Sequence, residues 1–122
     1  MKEQFLNYEQ SLALKELGFD VPCLGAYTYN ADEFYWELRF TINTNYHSHI
    51  VSAPLFQQAF EFFREKYNLH TQDFIDLDNK FTKNIVKISK EGQEFIHLNY
   101  HTFYNEAQTE CINKLIEIAN EK

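Results

Sequence analysis

The chain reads as an α+β fold in a single domain, residues 1–122, with three helices and a mainly antiparallel sheet of five to six strands in the order α-βββ-α-(β)ββ-α. Three observations carry that reading. Apolar residues recur at helical spacing in three separated stretches. Between two of them, Phe34, Trp36, Leu38, Phe40 and Ile42 alternate with Tyr35, Glu37, Arg39 and Thr41, the period of two that marks a half-buried strand. Helices at both ends and between strand groups point to α+β, not to alternating βαβ units.

Each element has its own signal. Residues 3–17 lack Pro and Gly and are rich in good helix formers, with Phe5, Tyr8 and Leu12 as an apolar stripe. Gly18 sits where a C-terminal cap belongs. Residues 23–29 favour a strand, Asn30 to Glu33 a turn, and residues 34–42 the returning arm of an antiparallel hairpin. A polar loop over 43–48 leads to a short third strand, His49 to Ser52.

Pro54 suits the first turn of a second helix, 54–67, in which Phe56, Ala59, Phe60, Phe63 and Tyr67 share one face. Asn68 is fitted to end it in a left-handed conformation. A short strand is expected near Phe74 to Leu77. Residues 83–89 and 94–100 read as a hairpin around Lys90-Glu91-Gly92-Gln93, although Phe81, Ile85 and Ile88 also fit helical spacing. Thr102 is the expected cap of a third helix, 103–120, presenting Tyr104, Ala107, Cys111, Leu115 and Ile118. Residues 54–59 and 102–107 echo one another, as two independent helix starts or as traces of a duplicated unit.

Composition narrows the function classes. Lys and Arg number 11 against 18 Asp and Glu, a net charge of −7. That balance disfavours direct nucleic-acid binding and an anionic membrane surface, both of which need basic side chains. No apolar run is long enough to span a bilayer, and the first residues turn polar too soon for a signal peptide, so a cytoplasmic protein is expected. Cys23 and Cys111 form no CxxC and read as buried free thiols. Lys80, Lys83, Lys87 and Lys90 lie among Asp and Glu and read as a solvated mixed-charge surface.

Three blocks carry a resemblance. They are Leu17-Gly18-Phe19-Asp20 with Pro22-Cys23; Ala53-Pro54 leading to Gln58-Ala59-Phe60 and Phe63-Arg64-Glu65-Lys66-Tyr67; and Glu106-Ala107 leading to Cys111 and Lys114-Leu115-Ile116-Glu117-Ile118. Together they resemble a family of small bacterial proteins of unassigned function that accompany phage and mobile-element genes. Val21 stands where that pattern has an acidic residue, and Leu55-Phe56 where it has Thr-Tyr. The resemblance implies a cytoplasmic accessory protein and carries over no catalytic residue.

Candidate chemistry is sparse. His47 and His49 are two apart, so in a strand both imidazoles face one side and can share a metal, with Asp73, Asp76, His97 or His101 as a third ligand. HxH is a weak motif, and solvated histidines are the simpler reading. His97 and His101, about 13 Å apart along a strand at ~3.3 Å per residue, are too distant to share an ion. No G-x-S-x-G, P-loop or G-x-G-x-x-G occurs. Glu61 and Glu65 read as surface charge, and Asp76 and Asp78 as turn residues.

The tyrosines point elsewhere. Tyr27, Tyr29, Tyr35 and Arg39 on the first hairpin, with Tyr46 in the following loop, have the composition of an interface; cross-strand aromatic packing is the alternative. The balance leans away from an enzyme, and no cofactor is expected. The leading expectation is an acidic, non-enzymatic interaction or regulatory module. Its partner is another protein or a second copy of itself. The alternatives are a small metal-dependent hydrolase built on His47 and His49, or an aromatic small-ligand-binding domain.

Overall fold

The computed structural model describes residues 2–28, 34–36 and 50–121. The class is α+β, with three α-helices and antiparallel strand pairing among the described residues. The described strands form two three-stranded sheets where a single sheet was expected. The chain divides into two compact units, Met1–Ala59 and Phe60–Lys122. Among the described residues no helix is long and apolar enough to cross a membrane.

The first unit opens with a short 3₁₀ helix, Lys2–Gln4, and helix α1, Tyr8–Glu16. The helix starts later than residue 3 because Asn7 caps it. Its Oδ1 accepts from the Gln10 N–H at 2.8 Å, and Gln10 Oε1 accepts from the Asn7 N–H at 3.2 Å, a reciprocal capping box. Gly18 follows at φ 95°, a left-handed conformation that costs glycine little. The expected stripe of Phe5, Tyr8 and Leu12 does face the core, and α1 buries Gln10, Ser11 and Leu14 beside it.

Strands β1 (Gly25–Thr28), β2 (Phe34–Trp36) and β3 (Ile50–Ala53) run in the order β2-β1-β3. The expected hairpin partner is present from Phe34 to Trp36; Glu37 to Ile42 lie outside the described residues. Phe5, Tyr27, Val51 and Ala53 form the core of this unit, with Tyr8 and Leu12 packed against it.

Helix α2, Phe56–Tyr67, begins two residues after Pro54. Leu55 occupies the capping position, its N–H donating to Gln58 Oε1 at 3.0 Å. The Pro54 carbonyl accepts from the Leu6 N–H at 2.9 Å instead. Phe56, Ala59, Phe60 and Phe63 are buried, as the spacing requires. Asn68 ends the helix at φ 56°.

The second sheet has the order β4-β5-β6, formed by Leu69–Ile75, Phe81–Ser89 and Gly92–Ile96. β4 therefore runs seven residues and ends before Leu77, where a short strand near 74–77 was expected. Asp76 makes the turn after it, its Oδ1 accepting from the N–H groups of Asp78 and Lys80, each at 2.9 Å. The next turn is Lys90-Glu91, tighter than expected, because Gly92 takes φ 122°.

β6 stops at Ile96, not near residue 100, and the register shows why. Ile85 pairs with Ile96, but Phe81 pairs with His101, so the returning chain carries one residue more than β5 between those pairs. That is a β-bulge. Asn84 and Thr82 hold it: Asn84 Oδ1 accepts from the Leu98 N–H at 2.8 Å, and the Thr82 hydroxyl donates to the Leu98 carbonyl at 3.2 Å. Both polar side chains are buried, and these bonds satisfy them.

Helix α3, Tyr104–Asn120, packs on β5. Its cap is Phe103, not Thr102. The Glu106 carboxylate accepts from the Phe103 N–H at 3.1 Å. Ala107, Cys111, Leu115 and Ile118 are buried as expected, with Ile112 and Ala119. The two sheets place their first-entered strands differently, β1 central and β4 at an edge, so the echo between 54–59 and 102–107 is not a structural repeat.

Candidate functional site

The expected surface on the first hairpin loses one member. Tyr27 is 3% exposed. Its hydroxyl donates to the Leu6 carbonyl at 2.8 Å, and its ring meets Tyr8 edge-on at 5.7 Å. A strand residue next to a packed helix buries whichever face the helix covers, and here that face carries Tyr27. Tyr35 pairs with Ala26 in the β1–β2 ladder. Tyr29, Arg39, Tyr46, His47 and His49 lie outside the described residues.

The second unit holds the chemistry-bearing side chains that the structure brings together. Asp73 and Lys83 are directly opposed across β4 and β5. Lys83 Nζ lies 2.8 Å from Asp73 Oδ1, and the Tyr104 hydroxyl donates to Asp73 Oδ2 at 2.8 Å. The Lys83 ammonium also sits 4.4 Å from the centroid of the Phe60 ring, a cation–π contact. Lys83 is only 9% exposed, so it leaves the solvated lysine surface expected from sequence. Burial first, and then the bond to Asp73, holds the Tyr104 phenol above the ordinary tyrosine pKa.

A second polar group ties the bulged chain to α3. The Glu110 carboxylate accepts from the Asn99 N–H at 3.1 Å, from Asn99 Nδ2 at 2.9 Å and faces His101 Nε2 at 2.8 Å. His97 Nδ1 lies 3.4 Å from Asn84 Nδ2. The strand bend thus sends His97 and His101 to different partners.

These groups fasten the strands to one another and to α3. Burial pushes both thiols, Cys23 and Cys111, up to about 12, far from the thiolate a nucleophile needs. Among the described residues no group of three or more His, Cys, Asp or Glu is placed to hold a metal ion.

Among the many charged and polar side chains that the second unit presents to solvent, several large apolar ones stand exposed. Among the described residues eight large apolar side chains are exposed, and seven of them fall between Phe74 and Tyr104. Ile75, Phe81 and His101 form one row across the sheet, and the Tyr104 ring meets Phe81 edge-on at 5.8 Å. Ile75 is 64% exposed, Phe103 67%, and Leu77, in the turn beyond β4, fully. The sequence signal for this patch was Leu77 itself, an apolar residue between two turn aspartates. A scan of protein-family models, a search of curated proteins and a search of solved structures return no match to this chain.

Proposed function

We propose that this protein is a non-enzymatic interaction module, acting in the cytoplasm, whose docking surface lies on the second unit at the end of the sheet marked by Ile75, Leu77, Phe103 and Tyr104. The observation that carries the reading is the concentration, among the described residues, of exposed apolar side chains between Phe74 and Tyr104. Large apolar patches on a small domain mark partner surfaces. Aromatic residues are enriched in such patches, and Phe103 and Tyr104 are two of the four that mark this one. The turn aspartates Asp76 and Asp78 and the net charge of −7 favour a basic partner. The resemblance to mobile-element accessory proteins directs the search to proteins of phage and mobile-element origin. An acidic module of this kind can occupy a nucleic-acid-binding protein in place of nucleic acid.

The test compares the tagged protein with the Leu77→Ser, Phe103→Ser double variant in nuclease-treated bacterial lysate. Both side chains are exposed, so folding is expected to survive. A near-stoichiometric protein held by the parent and lost from the variant, with the melting temperature unchanged, is the expected result. A partner retained by the folded variant overturns the assignment of the surface.

A further inference from the structure

Resting on the interaction reading, we propose that β4 is the docking edge: an extended segment of the partner, with two successive apolar residues flanked by Lys or Arg, adds to the second sheet as a fourth strand.

The ladder fixes which backbone groups are offered. The Asp76 N–H donates to the Lys80 carbonyl at one end of the β4–β5 pair, and the Ile88 N–H to the Asn68 carbonyl at the other. Antiparallel pairs alternate between bonded and non-bonded. The even-numbered residues of β4 therefore bond β5. Thr71, Asp73 and Ile75 turn their N–H and C=O groups to the outer edge, where among the described residues the sheet has no further strand.

The two edges of this sheet differ. β6 is short, carries Glu94 and runs into the bulge before His101. Those are features that discourage pairing. β4 has seven residues in unbroken register, from Leu69 against Lys87 to Ile75 against Phe81, with no Lys, Pro or bulge. Its single charge, Asp73, is neutralised by Lys83. It is the edge left open to strand addition.

The edge also states what it takes. Phe74 and Ile75 are exposed on opposite faces, so an added strand covers both with two successive apolar residues. Asp76 and Asp78 follow at its end. They favour Lys or Arg beside that pair and, with the net charge of −7, oppose a second copy of this chain.

The probe is a displayed library of random nine-residue peptides selected on the intact protein. Selected peptides are expected to carry the apolar pair with flanking basic residues. Thr71→Pro removes an outward N–H and leaves the β4–β5 bonds in place, since proline is tolerated on a free edge. It is expected to weaken the selected peptide by about fivefold or more, the worth of one hydrogen bond. Thr71→Ala keeps the N–H and is expected to bind as the parent does. Should Thr71→Pro fail to fold, N-methylation of the peptide answers on the unaltered protein, with alternate positions abolishing binding and the intervening ones not. No selection, acidic winners, or affinity indifferent to both backbone changes overturns the proposal. Dimerisation of the chain through β4, abolished by Thr71→Pro, overturns it in favour of a second copy. Lysate capture that depends on Leu77 and Phe103 but not on the Thr71 N–H leaves the interaction reading standing and removes strand addition alone.

Discussion

Asp73 and Lys83 face each other from adjacent strands, Oδ1 to Nζ at 2.8 Å, with the aspartate half exposed and the lysine almost fully covered. The aspartate is what makes the buried ammonium tolerable. Asp73→Ala is expected to cost about 1–2 kcal/mol, below the ~3–5 kcal/mol of a fully buried pair because Asp73 keeps contact with water. Lys83→Met keeps the stem's packing against Phe60 and removes the charge, and is expected to lie within about 1 kcal/mol of the parent. Urea unfolding of both variants checks the order. Equal losses would show that the ion pair itself stabilises the fold and that a stranded ammonium adds no further cost.

Phe60 anchors α2 in the second unit and takes the Lys83 ammonium over its ring. Phe60→Ala is expected to cost roughly 3–5 kcal/mol, the usual range for a buried phenylalanine. The same denaturation measurement decides. A loss below about 1 kcal/mol would refute the face assigned to α2.

The Asn84 amide replaces a missing ladder bond at the bulge. Asn84→Ala strands the Leu98 N–H, while the Thr82 hydroxyl keeps the Leu98 carbonyl, and the change is expected to cost about 1–3 kcal/mol. Amide exchange at Leu98 is expected to accelerate in that variant before global unfolding. Unchanged exchange there would show that the bulge holds without Asn84.

Cys111 gives a pH dependence whose sign follows from burial. Its folded-state pKa is pushed up to about 12 from an ordinary value of 9.0. The neutral thiol is the buried form, so its contribution is complete below about pH 9 and is lost as pH rises toward about 12. Cys111→Ala is expected to flatten the alkaline fall in stability, although the lost packing lowers the whole curve. Native protein is also expected to resist alkylation at pH 8 until denatured. Rapid alkylation of the folded chain would contradict the burial.

The regular elements were legible because their signals are local. The spacing of Phe56, Phe60 and Phe63 placed the buried face of α2, and Gly18 and Asn68 placed two helix ends. Asn7 and Phe103 took caps the sequence had not marked, because Gln10 and Glu106 reach back to bond them. β4 was read too short, since Thr71 to Ile75 alternate weakly and their pairing with β5 is a tertiary event. The site was less legible. Tyr27 belonged to a strand whose buried face depends on which side α1 covers. Lys83 looked like one of four surface lysines until the register put Asp73 opposite it. Leu77, exposed between two aspartates, was visible in the sequence and is the residue that best announces the patch.

The most direct test of the docking surface is amide hydrogen exchange of the protein alone and with its captured partner. Slowed exchange at Thr71, Asp73 and Ile75, whose N–H groups face the open edge, and around Leu77 and Phe103, is the expected result. Gln72 and Phe74, already bonded to β5, are expected to change little. Protection confined to residues 1–59 would contradict the account and return the interface to the first hairpin.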